Sequence, residues 1–209
     1  MTRPLTERRP IAVHGATGRL GRLIVHELGE DFAGPIGRDG LVPPCELVID
    51  VSSAEGTAAL VPRLDGQALL VGTTGDLPMD ALTAYAARAP VAIVPNFSAG
   101  VPLLIDILEQ LAPRLPQGWS IEVVEAHHAH KRDAPSGTAK RLVAATGRPD
   151  VPCHSLRAGD TIGEHTVWLA GPGERLELKH VATRREVFAI GAVRHARWLL
   201  DQPPGLVRP

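Results

Sequence analysis

A chain of 209 residues, 44% hydrophobic and 22% charged, is long enough to bury one large core or two small ones. Lys and Arg (22) nearly balance Asp and Glu (23), and a formal net charge of −1 excludes a partner held mainly by counterion release, whether nucleic acid or an anionic membrane surface. Aromatics make up only 3%, so Val, Leu, Ile and Ala must build the core. Two cysteines, Cys45 and Cys153, are too few and too far apart for a disulfide or metal framework.

The first ten residues are polar and lack the apolar stretch of a secretory leader. No run approaches the roughly 18 apolar residues of a spanning helix, so a cytoplasmic protein is expected. Ile11–Val13 is a short β-type run that breaks at His14-Gly15. A helix pattern follows over 19–28, with Leu20, Leu23, Ile24 and Leu28 on one face and Gly29 at the C-cap position. Apolar runs at 47–49, 68–71 and 91–94 are bounded by turn residues, and 80–88 reads as a helix between the last two. Short apolar strands alternating with helices predict βαβ units and a parallel sheet. Segment 98–115 predicts a long helix capped by Ser98.

Past Gly118 the pattern changes. Residues 121–125, 166–170 and 175–181 alternate apolar and polar, as strands with one wet face do. Residues 136–146 and 187–200 read as helices. The expected organisation is a dinucleotide-type domain over 1–97 and 186–209, with a second sheet domain over 98–185.

Gly15-Ala16-Thr17-Gly18-Arg19-Leu20-Gly21 follows the first strand and opens the first helix. Glycines there allow a tight turn and close approach to a pyrophosphate, whose charge the helix start accepts. The spacing is G-x-x-G-x-x-G rather than G-x-G-x-x-G, so an ordinary strand–helix turn is the competing reading. In the stretch where a ribose partner belongs, Arg38 offers charge to a 2′-phosphate and Asp39 an acceptor to a ribose hydroxyl. Two further loops end apolar runs and fall where a ligand crevice forms: Gly72-Thr73-Thr74-Gly75 and Val94-Pro95-Asn96-Phe97.

The densest chemistry lies in Glu125-Ala-His127-His128-Ala-His130-Lys131-Arg-Asp133-Ala-Pro-Ser136-Gly137-Thr138. A strand ends in titratable groups, then a helix start offers N–H groups and hydroxyls to a carboxylate or phosphate. This suits a small dianionic acid in a proton-coupled reaction. Three plainer readings compete: metal ligation by His127, His128 and His130, which lacks a complementing motif; a solvated loop with Ser136 as a mere N-cap; and structural histidines.

At these residues the chain resembles the 4-hydroxy-tetrahydrodipicolinate (dihydrodipicolinate) reductase family. The likeness also covers 15–22, 50–57, 71–75, 95–101, 155–182 and 188–199. The resemblance implies a Rossmann-like parallel-sheet cofactor domain and an α+β mixed-sheet domain for substrate binding and oligomerisation, assembled as a homotetramer. It implies NADPH- or NADH-dependent reduction of a small dicarboxylate in lysine and diaminopimelate biosynthesis, with NADPH favoured through Arg38. By motif position, His127 and Lys131 are the catalytic pair, Lys131 being the proton donor. His128, Ser136, Gly137 and Thr138 bind substrate. Gly15 to Leu20, Arg38, Gly72 to Thr74 and Val94 to Phe97 bind cofactor, and no metal is implied. The chain departs from the pattern by shortenings between Gly29 and Leu47 and between Thr146 and His154.

Other readings carry less. A short-chain dehydrogenase needs Tyr-x-x-x-Lys, yet Ala89 stands four residues after Tyr85, the sole tyrosine. A semialdehyde dehydrogenase needs a nucleophilic cysteine in an electropositive loop. A nucleotide-binding regulator, or a reductase of another cyclic imine, would share the fold.

Overall fold

The computed structural model describes residues 8–38 and 40–209. Asp39, weighed above as a ribose partner, lies outside them. Two compact units partition the chain, one reaching to Phe97 and resuming over Glu186–Pro209, the other Ser98–Arg185.

The first unit is a six-stranded parallel sheet. Its strands are β1 (Ile11–His14), β2 (Phe32–Ile36), β3 (Leu47–Asp50), β4 (Ala68–Val71), β5 (Pro90–Ile93) and β10 (Gly205–Val207), in the order β10-β5-β4-β3-β1-β2. Every residue of β1, β3 and β4 is buried, as expected of strands covered on both faces. Side chains alternate across the pleat and so feed two separate cores. Ile11, Val13, Leu47, Ile49 and Leu70 pack with Ile24 and Leu28 of α1 (Arg19–Leu28) and with α6 (Glu186–Leu199). Ala12, Val48, Leu69 and Val71 pack instead with Leu60 of α2 (Ala54–Leu60) and with Leu82, Tyr85 and Ala86 of α3 (Met79–Ala86).

The second unit is a four-stranded mixed sheet of β6 (Ser120–His127), β7 (Cys153–Arg157), β8 (Glu164–Gly171) and β9 (Glu174–Val181), in the order β7-β6-β8-β9. β6 runs parallel to β7 and antiparallel to β8, which runs antiparallel to β9. One sheet face is covered by α4 (Gly100–Leu111) and α5 (Gly137–Ala145). Val101, Leu104 and Leu108 of α4 and Leu142 of α5 close over Ile121, Val123, Val167 and Leu169. The opposite face leaves Leu156, Trp168 and Val181 exposed.

Two local expectations are corrected. The helix after β5 begins at Gly100 with Ala99 in the N-cap position, not at Ser98. Ser98 is held elsewhere, its hydroxyl 2.9 Å from His180 Nε2, so it cannot serve as that helix's cap beyond a long contact from Gly100 N at 3.3 Å. Ser136, by contrast, does cap α5, accepting from Ala139 N at 3.2 Å. Four elements do not stand out as apolar runs. β2 carries Gly34 and Pro35, β7 alternates on an edge, β10 has three residues, and α2 is alanine-rich.

Candidate functional site

In the first unit the glycine loop sits at the carboxyl ends of β1 and β3. Gly15 adopts φ +85°, and a Cβ there would lie 2.7 Å from the Val51 carbonyl oxygen. Gly21, one turn into α1, passes the Gly15 carbonyl so closely that a Cβ would be 2.1 Å from its oxygen. Together they allow the turn and the close helix–strand packing of a dinucleotide fold. No side chain caps the start of α1, whose N-cap is Gly18, so the dipole of that helix end faces the loop uncompensated.

Beside this loop lies a cavity of about 980 Å³ lined by His14, Gly15, Ala16, Thr17, Gly37, Arg38, Ser52 and Ser53. A second, of about 720 Å³, shares Ser52 and Ser53 and extends to Thr74 and Gly75. An elongated ligand with a central anion fits this set of donors, as a dinucleotide requires. Under the first cavity, Asp50 is fully buried and fixed on every side. It takes His14 Nδ1 at 3.0 Å, the Ser52 hydroxyl at 2.6 Å and the Thr57 hydroxyl at 2.6 Å. Burial pushes its carboxyl up, but these hydrogen bonds outweigh burial and hold it below the usual range.

The predicted cofactor residues divide into two groups. Gly15, Ala16, Thr17 and Arg38 line the larger cavity and Thr74 the smaller one, while Gly18 and Arg19 are exposed at the helix start and Leu20 is half-buried. Pro95 is exposed and Asn96 and Gly72 are half-buried, outside both linings. The side chains of Thr73, Val94 and Phe97 are buried. Val94 and Phe97 belong to the core beneath α6, and the Thr73 hydroxyl faces the Asp50 carbonyl oxygen at 3.4 Å.

In the second unit, β6 delivers Glu125 and His127 to the same sheet face two residues apart. The Glu125 carboxylate is fully buried and accepts from His127 Nδ1 on Oε2, and from Arg157 Nη2 at 2.7 Å and Ser136 N at 3.4 Å on Oε1. Burial raises its pKa; Arg157, Ser155 and His127 more than offset that and keep it a carboxylate. His127 moves the other way. Burial lowers its pKa, with Lys131 and Arg157 adding to the effect, and the attraction of Glu125 does not restore it. At neutral pH the ring is therefore neutral, donates through Nδ1 and keeps Nε2 as an acceptor.

His165 on β8 meets the His127 ring edge-on at 5.2 Å. Its Nε2 lies 3.3 Å from the Ser136 hydroxyl, and burial holds its pKa down at about 4. Lys131, in the loop after β6, pairs with Asp133 at 2.8 Å, which holds the Asp133 carboxyl low against its partial burial. Ser136 is only 2% exposed, and its hydroxyl is engaged by the α5 cap and His165. Gly137 is exposed and Thr138 half-buried in the first turn of that helix, and His128 is half-buried.

The structure thus brings His127 and Lys131 into one cluster ahead of α5 and adds His165, which the sequence did not single out, together with Glu125 and Arg157, to which the sequence assigned no role. Glu125, His127 and His165 also place one ligand atom each within 4.8 Å of the others. The His127 and Arg157 contacts already occupy both carboxylate oxygens, so the arrangement suits hydrogen bonding better than a metal.

Residues 100–208 match the family described as dihydrodipicolinate reductase, C-terminus. A 4-hydroxy-tetrahydrodipicolinate reductase of Xanthomonas campestris pv. campestris (strain B100) is 39% identical over 226 aligned positions, covering 95% of this chain and 94% of that one. One from Alkalilimnicola ehrlichii is 36% identical, covering 93% and 95%. In fold, the chain superposes with a TM-score of 0.72, at 20% identity, on the dipicolinate-bound dihydrodipicolinate reductase from Paenisporosarcina sp. TG-14, covering 96% and 97% of the two chains.

Proposed function

Since this chain belongs to the 4-hydroxy-tetrahydrodipicolinate reductase family, we propose that it reduces that cyclic dicarboxylate to tetrahydrodipicolinate with NADPH or NADH. The observation that carries the reading is the cluster in which Glu125 fixes His127 while Lys131, paired with Asp133, adds its charge beside that ring. When bound, a reduced nicotinamide would supply hydride to ring C4 of the conjugated imine left once the 4-hydroxyl has departed as water. What remains for the protein is to hold two carboxylates and deliver one proton to the enamine that results.

Lys131 is the proton donor, its ammonium held by Asp133 until substrate takes over the contact. His127 is neutral and oriented by Glu125, so its Nε2 accepts a hydrogen bond and aligns the donor rather than supplying charge. The N–H groups of Gly137 and Thr138, at a helix N-terminus, together with Lys131 and His128, bind the carboxylates. The glycine loop and the uncapped α1 start take the dinucleotide pyrophosphate. Arg38, on the cavity wall, favours the 2′-phosphate of NADPH.

We read the chain as cytoplasmic, a reading supported by its two free cysteines. No helix among the described residues is long and apolar enough to cross a membrane. The test is loss of nicotinamide absorbance on adding the protein to substrate made in situ by the synthase that condenses pyruvate with aspartate semialdehyde. Turnover faster with NADPH than with NADH is expected. Nucleotide binding without turnover would refute the reaction, and a preference for NADH would refute the role of Arg38.

A further inference from the structure

The register of β6 and β7 sets Arg157 directly beside His127 as its parallel partner. From there the guanidinium reaches two arms of the cluster with one nitrogen. Nη2 donates to Glu125 Oε1 at 2.7 Å, and the other oxygen of that carboxylate takes His127 Nδ1. The same Nη2 donates to the Asp133 carbonyl oxygen at 2.5 Å, and the Asp133 carboxylate takes Lys131 Nζ at 2.8 Å. Nη1 ties the fork back to its own strand through the Leu156 carbonyl at 2.7 Å. Only about a fifth of the side chain is exposed.

We infer that Arg157 is a positioning residue that sets His127 and Lys131 in one geometry, acting on the first through Glu125 and on the second through Asp133. The inference rests on the reading of those two residues as the proton-handling pair. A shared anchor matters because the two side chains come from different segments, a strand and the loop beyond it. Without it, the loop over 128–135 keeps the Asp133–Lys131 pair and the Ala129 N bond to the Gly159 carbonyl but loses the tie at Asp133. A buried, half-compensated Glu125 would then face His127 alone.

Arg157 also governs which group carries charge. The groups facing His127 are Glu125 on its own strand, Lys131 in the following loop, Arg157 from β7 and His165 from β8; α5 contributes the uncharged Ser136. Removing Arg157 removes a cation that disfavours imidazolium and leaves Glu125 to attract the proton. His127 would then hold its proton to higher pH, and an enzyme that needs the neutral ring would lose activity at higher pH on the acid side.

The test compares wild type, Arg157→Ala and Arg157→Lys in kcat, nucleotide Kd, the pH profile of kcat/KM and the ring nitrogen NMR shifts of His127. Arg157→Ala should lower kcat on the order of a hundredfold, as small misplacements of reacting groups do. The nucleotide Kd should stay unchanged, and the acidic limb should rise by roughly one pH unit. Arg157→Lys keeps the charge without the fork, so its limb should stay near wild type while kcat recovers only in part. If Arg157→Ala does not fold, that split in Arg157→Lys decides the matter, and a lysine variant with wild-type kcat overturns the inference. A fall in kcat with an unmoved limb and unmoved His127 shifts marks a scaffold role and also overturns it. If wild type itself turns nothing over, the reductase reading fails separately, and the His127 shifts still decide whether Arg157 sets that ring.

Discussion

Lys131 and His127 differ in what surrounds them, and the difference assigns their tasks. Lys131 is about a quarter exposed and paired with the Asp133 carboxylate, whereas His127 is pressed against a buried wall that keeps it neutral. Lys131→Ala should therefore lower kcat by roughly a hundredfold, the range of a lost general acid. Nucleotide affinity, read by fluorescence titration, should hold. His165 gives a second expectation. Its folded pKa of about 4 lies below the ordinary 6.5, so the unfolded chain takes up the proton first as pH falls. Stability is fully present above 6.5 and declines toward 4, by about 2 kcal/mol between pH 7 and 5 for this one residue. Urea unfolding at those two pH values should show the slope, and His165→Gln should reduce it. The depressed carboxylates of Asp50 and Glu125 lose their contribution only at lower pH, outside that window.

At the scale of elements, the turn from β1 into α1 is the tightest fit in the first unit. Gly21→Ala drives a methyl into the Gly15 carbonyl, so α1 must shift off the loop. A loss of several degrees in Tm is expected, of the order of overpacking penalties of 1–3 kcal/mol, together with loss of nucleotide binding in a titration. This turn was legible in the sequence, because glycine spacing is local. So were the two-faced strands β1, β3, β4 and β5, whose continuous apolar runs report burial on both sides. The clusters were legible only in part. Glu125 and His127 lie two residues apart, but Arg157 reaches them through strand register and His165 through an antiparallel pairing 40 residues downstream. Ser98 shows the opposite failure: a serine before an apolar helix satisfies the capping pattern, yet a histidine from β9 claims its hydroxyl. The edge strands β7 and β10 bury too little to leave a run at all.

For the whole molecule, the outer face of the second sheet poses a question of assembly. Leu156, Trp168 and Val181 stand open there, with Arg175 stacked 4.4 Å over the Trp168 ring. A homotetramer built through this unit would cover them, and sedimentation should then report a species near four times the 22.2 kDa chain. Trp168→Glu should shift it toward smaller species. The first unit, meanwhile, is assembled from two stretches of chain that flank the second. Helix α6 supplies Ala189, Val193, Ala196 and Leu199 to the core that β1 and α1 begin, and β10 completes the sheet beside β5. On the ribosome that core therefore waits open while all of Ser98–Arg185 is translated, with Ile24 and Leu28 backed by the strands but not yet by α6. Until the segment after Arg185 emerges, the nascent chain carries apolar surface open to aggregation.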